Sequence, residues 1–329
     1  MVFGFGTVAA LATPYAGDVT TGRLLLLDSA SLYFRAFYGV PDSFKAPDGT
    51  VVNALRGLLD FVSTLVDQHS PDAVVACWDD DWRPQWRVDL LPSYKTHRVA
   101  EVADPTSGEL VAEESPELLS PQVPLIAEAL DILGIPVVGR QGAEADDVIG
   151  TLAQAWDGPV DVVTGDRDLF QLVDDDAQVR VLYTARGVSS ADVVDAAWIR
   201  AKYGVEPQQY ADFATMRGDT SDGIPGVAGI GEKTAATLLG EFHDLDGIVA
   251  AAQDPDSSIK PRVRQSLLDT RELIDVMRQV VRVRDDVCGT DVVRPLAPLS
   301  PEQRDALEAF GARWGLGSVP ERLVKALSR

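Results

Sequence analysis

The hydrophobic pattern changes character about halfway along the chain. In the first half, short apolar runs alternate with longer stretches whose apolar residues recur at helical spacing. Residues 24–27 and 73–78 are unbroken apolar runs, and residues 160–163 are broken only by Asp161. Runs of this length read as strands buried on both faces. Residues 135–138 and 179–182 are two further strand candidates. Between them, residues 32–38, 53–68, 125–133 and 146–155 carry helical spacing; Leu55, Leu58, Leu59, Val62, Leu65 and Val66 form one such stripe. This alternation predicts an α/β fold, a mostly parallel central sheet with helices on both faces. From about residue 186 the strand signals fade. Residues 193–203, 210–216, 233–239, 245–252, 263–281 and 301–310 are all helical in pattern. No internal repeat is present. The expected division is an α/β unit over residues 21–185 and a helical unit over 186–329.

Two segments fall outside this pattern. Residues 1–20 read as an extension, disordered or loosely docked. They have no basic start and are too short to span a membrane, and no other segment is a transmembrane candidate. Between Arg98 and Pro121 the chain turns polar and acidic, with Glu101, Asp104, Glu109, Glu113, Glu114 and Glu117. Loops of that length in a compact domain are usually lids or mobile segments.

Composition narrows the class. The 329 residues are 46% hydrophobic, enough for a sizeable core. Cys77 and Cys288 are the only cysteines, which supports neither a disulfide framework nor a zinc site and suits the reducing cytoplasm. The formal net charge of −22 argues, taken alone, against a nucleic-acid partner. Net charge, however, describes solubility and the long-range field, not a local site. Clustered metal-binding carboxylates would add negative charge of their own.

Such clusters are present. Acids stand at junction after junction of the predicted sheet: Asp28 after the first strand, Asp79 and Asp80 after the second, Glu144, Asp146 and Asp147 at a helix start, and Asp166 and Asp168 in Thr164-Gly165-Asp166-Arg167-Asp168. In a parallel sheet these junctions share one edge, where ligands bind. A further pair, Asp219 and Asp222, lies in the helical half within Gly218-Asp219-Thr220-Ser221-Asp222. Helix capping accounts for single aspartates. It does not account for Glu144 with Asp146 and Asp147, nor for Asp166 and Asp168, which on extended backbone would share one side. Carboxylates held that close repel unless a cation lies between them. Hard divalent cations take oxygen ligands, and a pair of them can activate water and stabilise the leaving oxygen of a phosphodiester. His69, His97 and His243 show no ligand spacing and read as surface or loop residues.

Bases and aromatics interleave in Trp82-Arg83-Pro84-Gln85-Trp86-Arg87 and again in Pro92-Ser93-Tyr94-Lys95-Thr96-His97-Arg98. Placed directly after Asp79 and Asp80, they read as a phosphate-steering wall, aromatics being able to stack on unpaired bases. Arg35, past Asp28 on the first helix, adds to it. The glycine-rich run from Gly223 to Thr234 ends in Gly229-Ile230-Gly231-Glu232-Lys233-Thr234 and opens a helix. Glycine lets backbone approach phosphate, and a helix amino terminus attracts anions. Such a turn can hold duplex backbone without reading sequence.

These stretches, in this order, resemble the 5′-nuclease family: flap endonucleases and the 5′-to-3′ exonuclease domain of bacterial DNA polymerase I. The resemblance rests on residues 27–35, 94–98, Glu144-Ala145-Asp146-Asp147-Val148-Ile149-Gly150, residues 164–168 and residues 218–235, and covers roughly residues 22 to 290. It implies a PIN-like nuclease core, a helical arch at about residues 83–122 passing a single-stranded 5′ end, and a helical domain whose helix–hairpin module grips duplex DNA. It further implies two divalent metal ions, Mg²⁺ or Mn²⁺. One would be held by Asp28, by Asp79 or Asp80, and by Glu144, Asp146 and Asp147; the other by Asp166, Asp168, Asp219 and Asp222. Arg87, Lys95 and Arg98 fall where the family contacts the scissile phosphate, and Arg35 is the further candidate catalytic residue read from its position past Asp28. Tyr94, Gly226, Gly229, Gly231, Lys233 and Thr234 fall in DNA-binding segments, the last five in a hairpin that often binds K⁺. The substrate implied is DNA with a 5′ flap, nick or 5′ end in replication and repair, the protein partners a polymerase and ligase, and the state a monomer without a polymerase domain. Strand pattern favours Asp79 as ligand and ungapped spacing to Tyr94-Lys95 favours Asp80. Two departures stand out: Asp28-Ser29-Ala30-Ser31 replaces the usual Asp-Gly-Ser-Ser, and the arch segment is longer and more acidic than usual. The alternatives from other classes are a non-catalytic DNA-structure-binding paralogue and a metal-dependent ribonuclease.

Overall fold

The structure, a computed structural model, describes residues 22–99 and 116–328. The expected N-terminal extension and the middle of the expected arch, with Glu101, Asp104, Glu109, Glu113 and Glu114, lie outside the described residues.

Strand β1 (Leu24–Asp28) is buried along its whole length and runs straight into helix α1 (Ser29–Gly39), because the Asp28 carboxylate accepts the Ser31 N–H at 3.1 Å and caps the helix. There follow α2 (Asn53–His69), β2 (Ala73–Cys77), the short α3 (Gln85–Leu90), α4 (Val123–Ile132), β3 (Val137–Val138), α5 (Ala145–Ala155), β4 (Val160–Thr164), β5 (Val179–Tyr183) and β6 (Asp192–Val194). The sheet order is β3-β2-β1-β4-β5-β6. All pairings are parallel except β6 on β5. Leu24 pairs with Ala73 on one side and Val160 on the other, so β1, β2 and β4 finish almost level and present their carboxyl ends at one edge.

Side chains alternate across the sheet and feed two cores. Leu24 and Leu26, with Val75 and Val162, pack against Val148, Ile149 and Leu152 of α5. The same core takes in the next helices: α6 (Ala196–Tyr203), α7 (Tyr210–Arg217), α8 (Glu232–Phe242), α9 (Leu245–Gln253), α10 (Pro261–Asp269) and α11 (Arg271–Val281). Phe170, Tyr203, Tyr210 and Phe213 join ring to ring at 5.4–6.3 Å where the two halves meet. Leu25 and Leu27 point the other way, onto Leu55, Leu58, Leu59 and Val62 of α2.

The helical half is not one block. After α11 the chain returns: Leu296 N–H donates to Asp72 O at 2.8 Å beside the amino end of β2. The final helices α12 (Pro301–Arg313) and α13 (Val319–Ala326) place Leu307, Phe310 and Leu323 in the α2 core. Other differences are local. The expected strand at 135–138 keeps only two residues, since Pro136 has no N–H for a ladder. The helical pattern at 263–281 is two helices separated at Thr270. Within the pattern at 193–203, the first residues form the antiparallel edge strand β6.

Asp161, the one polar residue of β4, is fully buried. Arg180 donates to it at 2.6 and 3.2 Å and Arg23 at 3.0 and 3.1 Å, with His69 Nδ1 at 3.8 Å. His69 therefore belongs to a buried charge cluster at the sheet's amino edge rather than to the open surface. Burial pushes its imidazole pKa down against the opposing pull of Asp161. Among the described residues no helix is long and apolar enough to cross a membrane.

Candidate active site

The carboxyl edge of the sheet opens into a cavity of 350 Å³. Asp28, Asp79, Glu144, Asp146, Asp166 and Asp219 line it, drawn from five separate segments. Lys95 and Arg98 stand on the same wall, with Phe34 and Trp82.

Hydrogen bonds fix the first acids. Asp28 Oδ2 accepts the Thr164 hydroxyl at 2.6 Å, and that hydroxyl accepts the Asp166 N–H at 2.8 Å, so one buried threonine holds two junctions together. Burial pushes the Asp28 carboxyl up to about 7; the Thr164 hydrogen bond works against this, and the charges of Asp79 and Asp166 reinforce it. Asp79 accepts the Ala145 N–H at 2.8 Å and is likewise raised, first by burial. Asp146 is raised well above the carboxylate range by burial, then by Asp166 and Asp28. Glu144 caps α5 and accepts from the Tyr94 hydroxyl at 2.8 Å and from Lys95 Nζ.

The second acids gather around the turn after β4. This is not extended backbone, as the spacing suggested: Asp168 opens a 3₁₀ turn over Asp168–Leu172, and its N–H donates to Asp166 Oδ1 at 2.8 Å. The Asp168 carboxyl is pushed well up by burial and then by Asp166, Asp222 and Asp219. Its Oδ1 is buried with no hydrogen-bond partner among the described residues. Burial would also raise Asp219, but hydrogen bonds from Ser221 at 2.5 and 2.7 Å outweigh it and hold that carboxyl below the usual range. Asp222 is raised, chiefly by burial, although Arg98 Nη2 donates to it at 2.7 Å.

Several expected site residues are placed elsewhere. Asp80 turns away from the cavity and packs over Gly139, with Arg140 as its nearest opposing charge, whereas Asp79 faces inward. Asp147 is fully buried behind the cavity, completing a capping box with Glu144 and accepting the Arg284 N–H at 2.9 Å. Arg87 is only 3% exposed and grips Asp147 at 2.7 and 2.8 Å and Glu144 at 3.0 Å. Its Nε–H donates to Val280 O at 3.2 Å, so four of its five N–H donors are engaged within the protein and it braces the acids from a buried position. Tyr94 is 4% exposed with its hydroxyl committed to Glu144, which leaves no face for a base to stack on. Arg35 lies beside Gly165, its Nε buried without a hydrogen bond among the described residues.

The basic segment docks on the acidic turn of the other half. Lys95 N–H donates to Asp222 O at 3.0 Å, Arg98 Nη2 to Ser221 O at 2.9 Å, and Ser93 Oγ–H to Gly223 O at 2.7 Å. Gly223 has φ +71°, and a Cβ there would lie 2.1 Å from Ser93 O, so only glycine permits this contact. Gly226 and Gly218 meet back to back, each placing a hypothetical Cβ within 2.7 Å of the other's amide nitrogen. Gly226 is thus needed inside the turn. Gly229 and Gly231 have open space around them, and Lys233 is exposed at the amino terminus of α8, where no side chain caps the helix; Thr234 is half-buried there.

Sequence reasoning passed over Arg217 and Thr164. Arg217, the last residue of α7, lies 3.9 Å from Asp168, 3.7 Å from Asp219 and 3.9 Å from Glu232. A basic residue directly before Gly218-Asp219 was the available signal.

Fold and site together define a class. Residues 23–204 match the 5′-3′ exonuclease N-terminal resolvase-like domain, and residues 205–303 match the 5′-3′ exonuclease C-terminal SAM fold. The chain belongs to the 5′-3′ exonuclease family. Among its relatives, a Streptomyces coelicolor protein named 5′-3′ exonuclease is 57% identical over 304 residues, spanning 92% of this chain and 100% of that one. A Mycobacterium tuberculosis protein of the same name is 47% identical over 314 residues, spanning 92% and 97%. DNA polymerase I of Mycobacterium bovis is 38% identical over 270 residues, 80% of this chain but 28% of the polymerase. In fold, the chain resembles the bacteriophage T5 D15 protein crystallised with metal ions (TM-score 0.59, 18% identity, 93% and 100% coverage). It also resembles the catalytic core of Rad2 in complex with DNA substrate (TM-score 0.57, 16% identity, 93% and 92% coverage).

Proposed function

We propose that this chain is a structure-specific 5′-nuclease, a flap endonuclease and 5′-to-3′ exonuclease that hydrolyses DNA phosphodiesters with two divalent cations. The observation that carries the reading is the convergence of six acids from five segments on one cavity, with Lys95 and Arg98 beside them. Asp28, Asp79, Glu144 and Asp146 would hold one cation; Asp166, Asp168, Asp219 and Asp222 the other. Among the described residues no three acid, histidine or cysteine side chains are already gathered around one point for a metal. Internal cations explain the spread, since Lys95 engages Glu144 and Arg98 engages Asp222. Two features fit a hard cation. The donors are all oxygens, as Mg²⁺ and Mn²⁺ prefer. Asp168 Oδ1 is buried without a partner, and Asp28 is held up to about 7 by burial and by neighbouring acids, so positive charge placed there relieves a real cost.

Divalent cations bound there would neutralise the phosphate and lower the pKa of the attacking water. The chain's own residues do the rest. Thr164 keeps Asp28 and Asp166 in fixed relation. Lys95, at the cavity wall, offers an ammonium to the developing phosphate charge once Glu144 is engaged by a cation. Gly229, Gly231 and the free N–H groups at the start of α8 would take duplex phosphates, with Lys233 alongside and K⁺ in the same turn. The substrate is a 5′ flap, nick or 5′ end in replication and repair, with a polymerase and ligase as the expected partner proteins. A non-catalytic paralogue would be expected to have lost several acids, and this chain keeps them.

The test is cleavage of a 5′-labelled flap duplex in Mg²⁺, Mn²⁺ or EDTA, beside an Asp166→Asn/Asp168→Asn protein. Metal-dependent incision near the junction, absent from the double variant, is the expected result. Incision that survives in the double variant would sink the mechanism, and comparison with an RNA flap separates the ribonuclease alternative.

A further inference from the structure

We propose that Arg217 is the resident counter-charge of the second acid group and sets how tightly that group binds its cation, an inference that rests on the two-cation reading above. Other arginines that serve buried carboxylates in this protein dock on them at hydrogen-bond distance: Arg87 on Asp147 at 2.7 Å, Arg180 on Asp161 at 2.6 Å. Arg217 does not. Its guanidinium spans three carboxylates from three segments, Asp168, Asp219 and Glu232, at 3.7–3.9 Å, and closes on none. Both Nη atoms are buried without a close hydrogen bond to a carboxylate, the buried Tyr210 hydroxyl being their other polar neighbour. The side chain is 11% exposed, its Nε–H donates to Gly218 O at 3.2 Å, and the Phe213 ring lies 5.6 Å away. A buried donor that closes on no carboxylate thus faces a buried acceptor without a donor, Asp168 Oδ1.

Such unmade bonds are costly, and a packed protein keeps few of them. The arrangement makes sense as a balance of charge. A guanidinium cannot shed its proton, so it neutralises the mutually repelling acids whenever no other cation does. The same fixed charge, a few ångströms from the place where a divalent ion would sit, opposes that ion's binding. Holding the guanidinium at arm's length satisfies the first role without closing the carboxylates to a metal. Arg217 is therefore a positioning and affinity-setting residue, not one that touches the reacting atoms.

The experiment is titration of the full chain with Mn²⁺ alone, without DNA, read by calorimetry and by the electron paramagnetic resonance of free Mn²⁺. Arg217→Met keeps length and removes charge; Arg217→Lys keeps charge. The weaker class of Mn²⁺ sites should tighten about tenfold or more in Arg217→Met, a modest figure for removing a unit charge a few ångströms away. It should stay near wild type in Arg217→Lys. In EDTA, Arg217→Met should melt below wild type and recover on adding Mn²⁺; a variant that folds only with Mn²⁺ is the extreme form of the same result. Equal or weaker Mn²⁺ binding by folded Arg217→Met would overturn the proposal, as would a variant that stays unfolded with Mn²⁺ present. Wild-type protein that binds no Mn²⁺ would instead overturn the two-cation reading beneath it.

Discussion

Arg87 offers the sharpest separation between a residue that contacts substrate and one that holds the site together. Consider Arg87→Met, which keeps most of the side-chain volume and removes the charge. Three hydrogen bonds to carboxylates at 2.7, 2.8 and 3.0 Å disappear, as does the bond to Val280 O. Each charge-assisted bond is worth roughly 1.5–3 kcal/mol, but desolvation already offsets part of the sum. The decisive quantity is what remains: Asp147, fully buried, keeps only backbone donors, and Glu144 loses one of its three side-chain partners. Removing one member of a buried pair costs about 3–5 kcal/mol. At about 2 °C per kcal/mol for a chain of this size, the melting temperature should fall by about 6–10 °C. Urea titration and calorimetry measure this directly. Flap cleavage by the folded fraction should fall less than about tenfold, through loosening of Glu144, with KM for DNA unchanged because the side chain reaches no surface that DNA can touch. An Arg87→Met protein as stable as wild type, with cleavage reduced a thousandfold, would refute the structural assignment and return Arg87 to the phosphate.

Other outcomes follow from the same structure. The Asp28 carboxyl rises from 3.8 to about 7, so the metal-free native state holds that proton more tightly than the unfolded chain does. Its stabilising share is fully present below about pH 4 and is lost as pH rises through 7, on the order of 4 kcal/mol at 1.36 kcal/mol per pH unit. Asp79, Asp146 and Asp168 are displaced in the same direction. Urea unfolding in EDTA at pH 5, 6 and 7.5 should therefore show falling stability, recovered at the highest pH by Mg²⁺; a profile rising with pH would contradict the reasoning. Asp161→Asn leaves Arg23 and Arg180 facing a neutral amide at the opposite edge of the sheet, which should lower stability by about 3 kcal/mol and leave cleavage by the folded protein unaltered. Loss of cleavage at full stability would show that the Asp161 cluster communicates with the site.

The parts of this molecule that were legible in the sequence are those where one physical requirement dominates. β1 and β2 announced themselves because a strand buried on both faces is almost wholly apolar, and the junction acids could be brought to one edge because a parallel sheet has only one carboxyl edge. What pattern could not decide is direction within a junction. Asp79 and Asp80 are neighbours of equal chemistry, and only the bend after β2 turns one toward Ala145 and the other onto Gly139. Arg87 and Lys95 are both basic and both follow the second strand. The packing of α3 against α11 buries the first, while a left-handed backbone at Lys95, φ +48°, sets the second at the cavity wall. β6 was missed because three residues at a sheet edge, with Val193 44% exposed, carry too little pattern to register. The return of α12 and α13 to the α2 core depends on contacts between residues more than two hundred positions apart, such as Arg56 Nη1–H to Leu316 O at 2.8 Å, which no local window contains.

The net charge of −22, which taken alone argues against a DNA partner, has a local counterpart at the cavity that makes its own prediction. At the cavity, positive side chains are already engaged by acids: Lys95 by Glu144, Arg98 by Asp222, and Arg217 by the field of Asp168 and Asp219. A polyanion approaching the metal-free protein meets six acids and cations that are spoken for. Divalent ions held by the acids, as proposed above, would change both terms at once, neutralising the carboxylates and freeing Lys95 and Arg98 to face phosphate. Cation binding and DNA binding must then be linked, and linkage is reciprocal: whatever factor the cation adds to DNA affinity, DNA adds to cation affinity. Using Ca²⁺ to support binding, flap-duplex affinity should rise at least about tenfold over EDTA, a coupling of about 1.4 kcal/mol. Affinity should also weaken with salt through few phosphate contacts. Equal DNA affinity in EDTA and Ca²⁺, with a shallow salt slope, would mean that DNA is held away from the acids, by the hairpin around Lys233, and that the cavity's cations play no part in recognition.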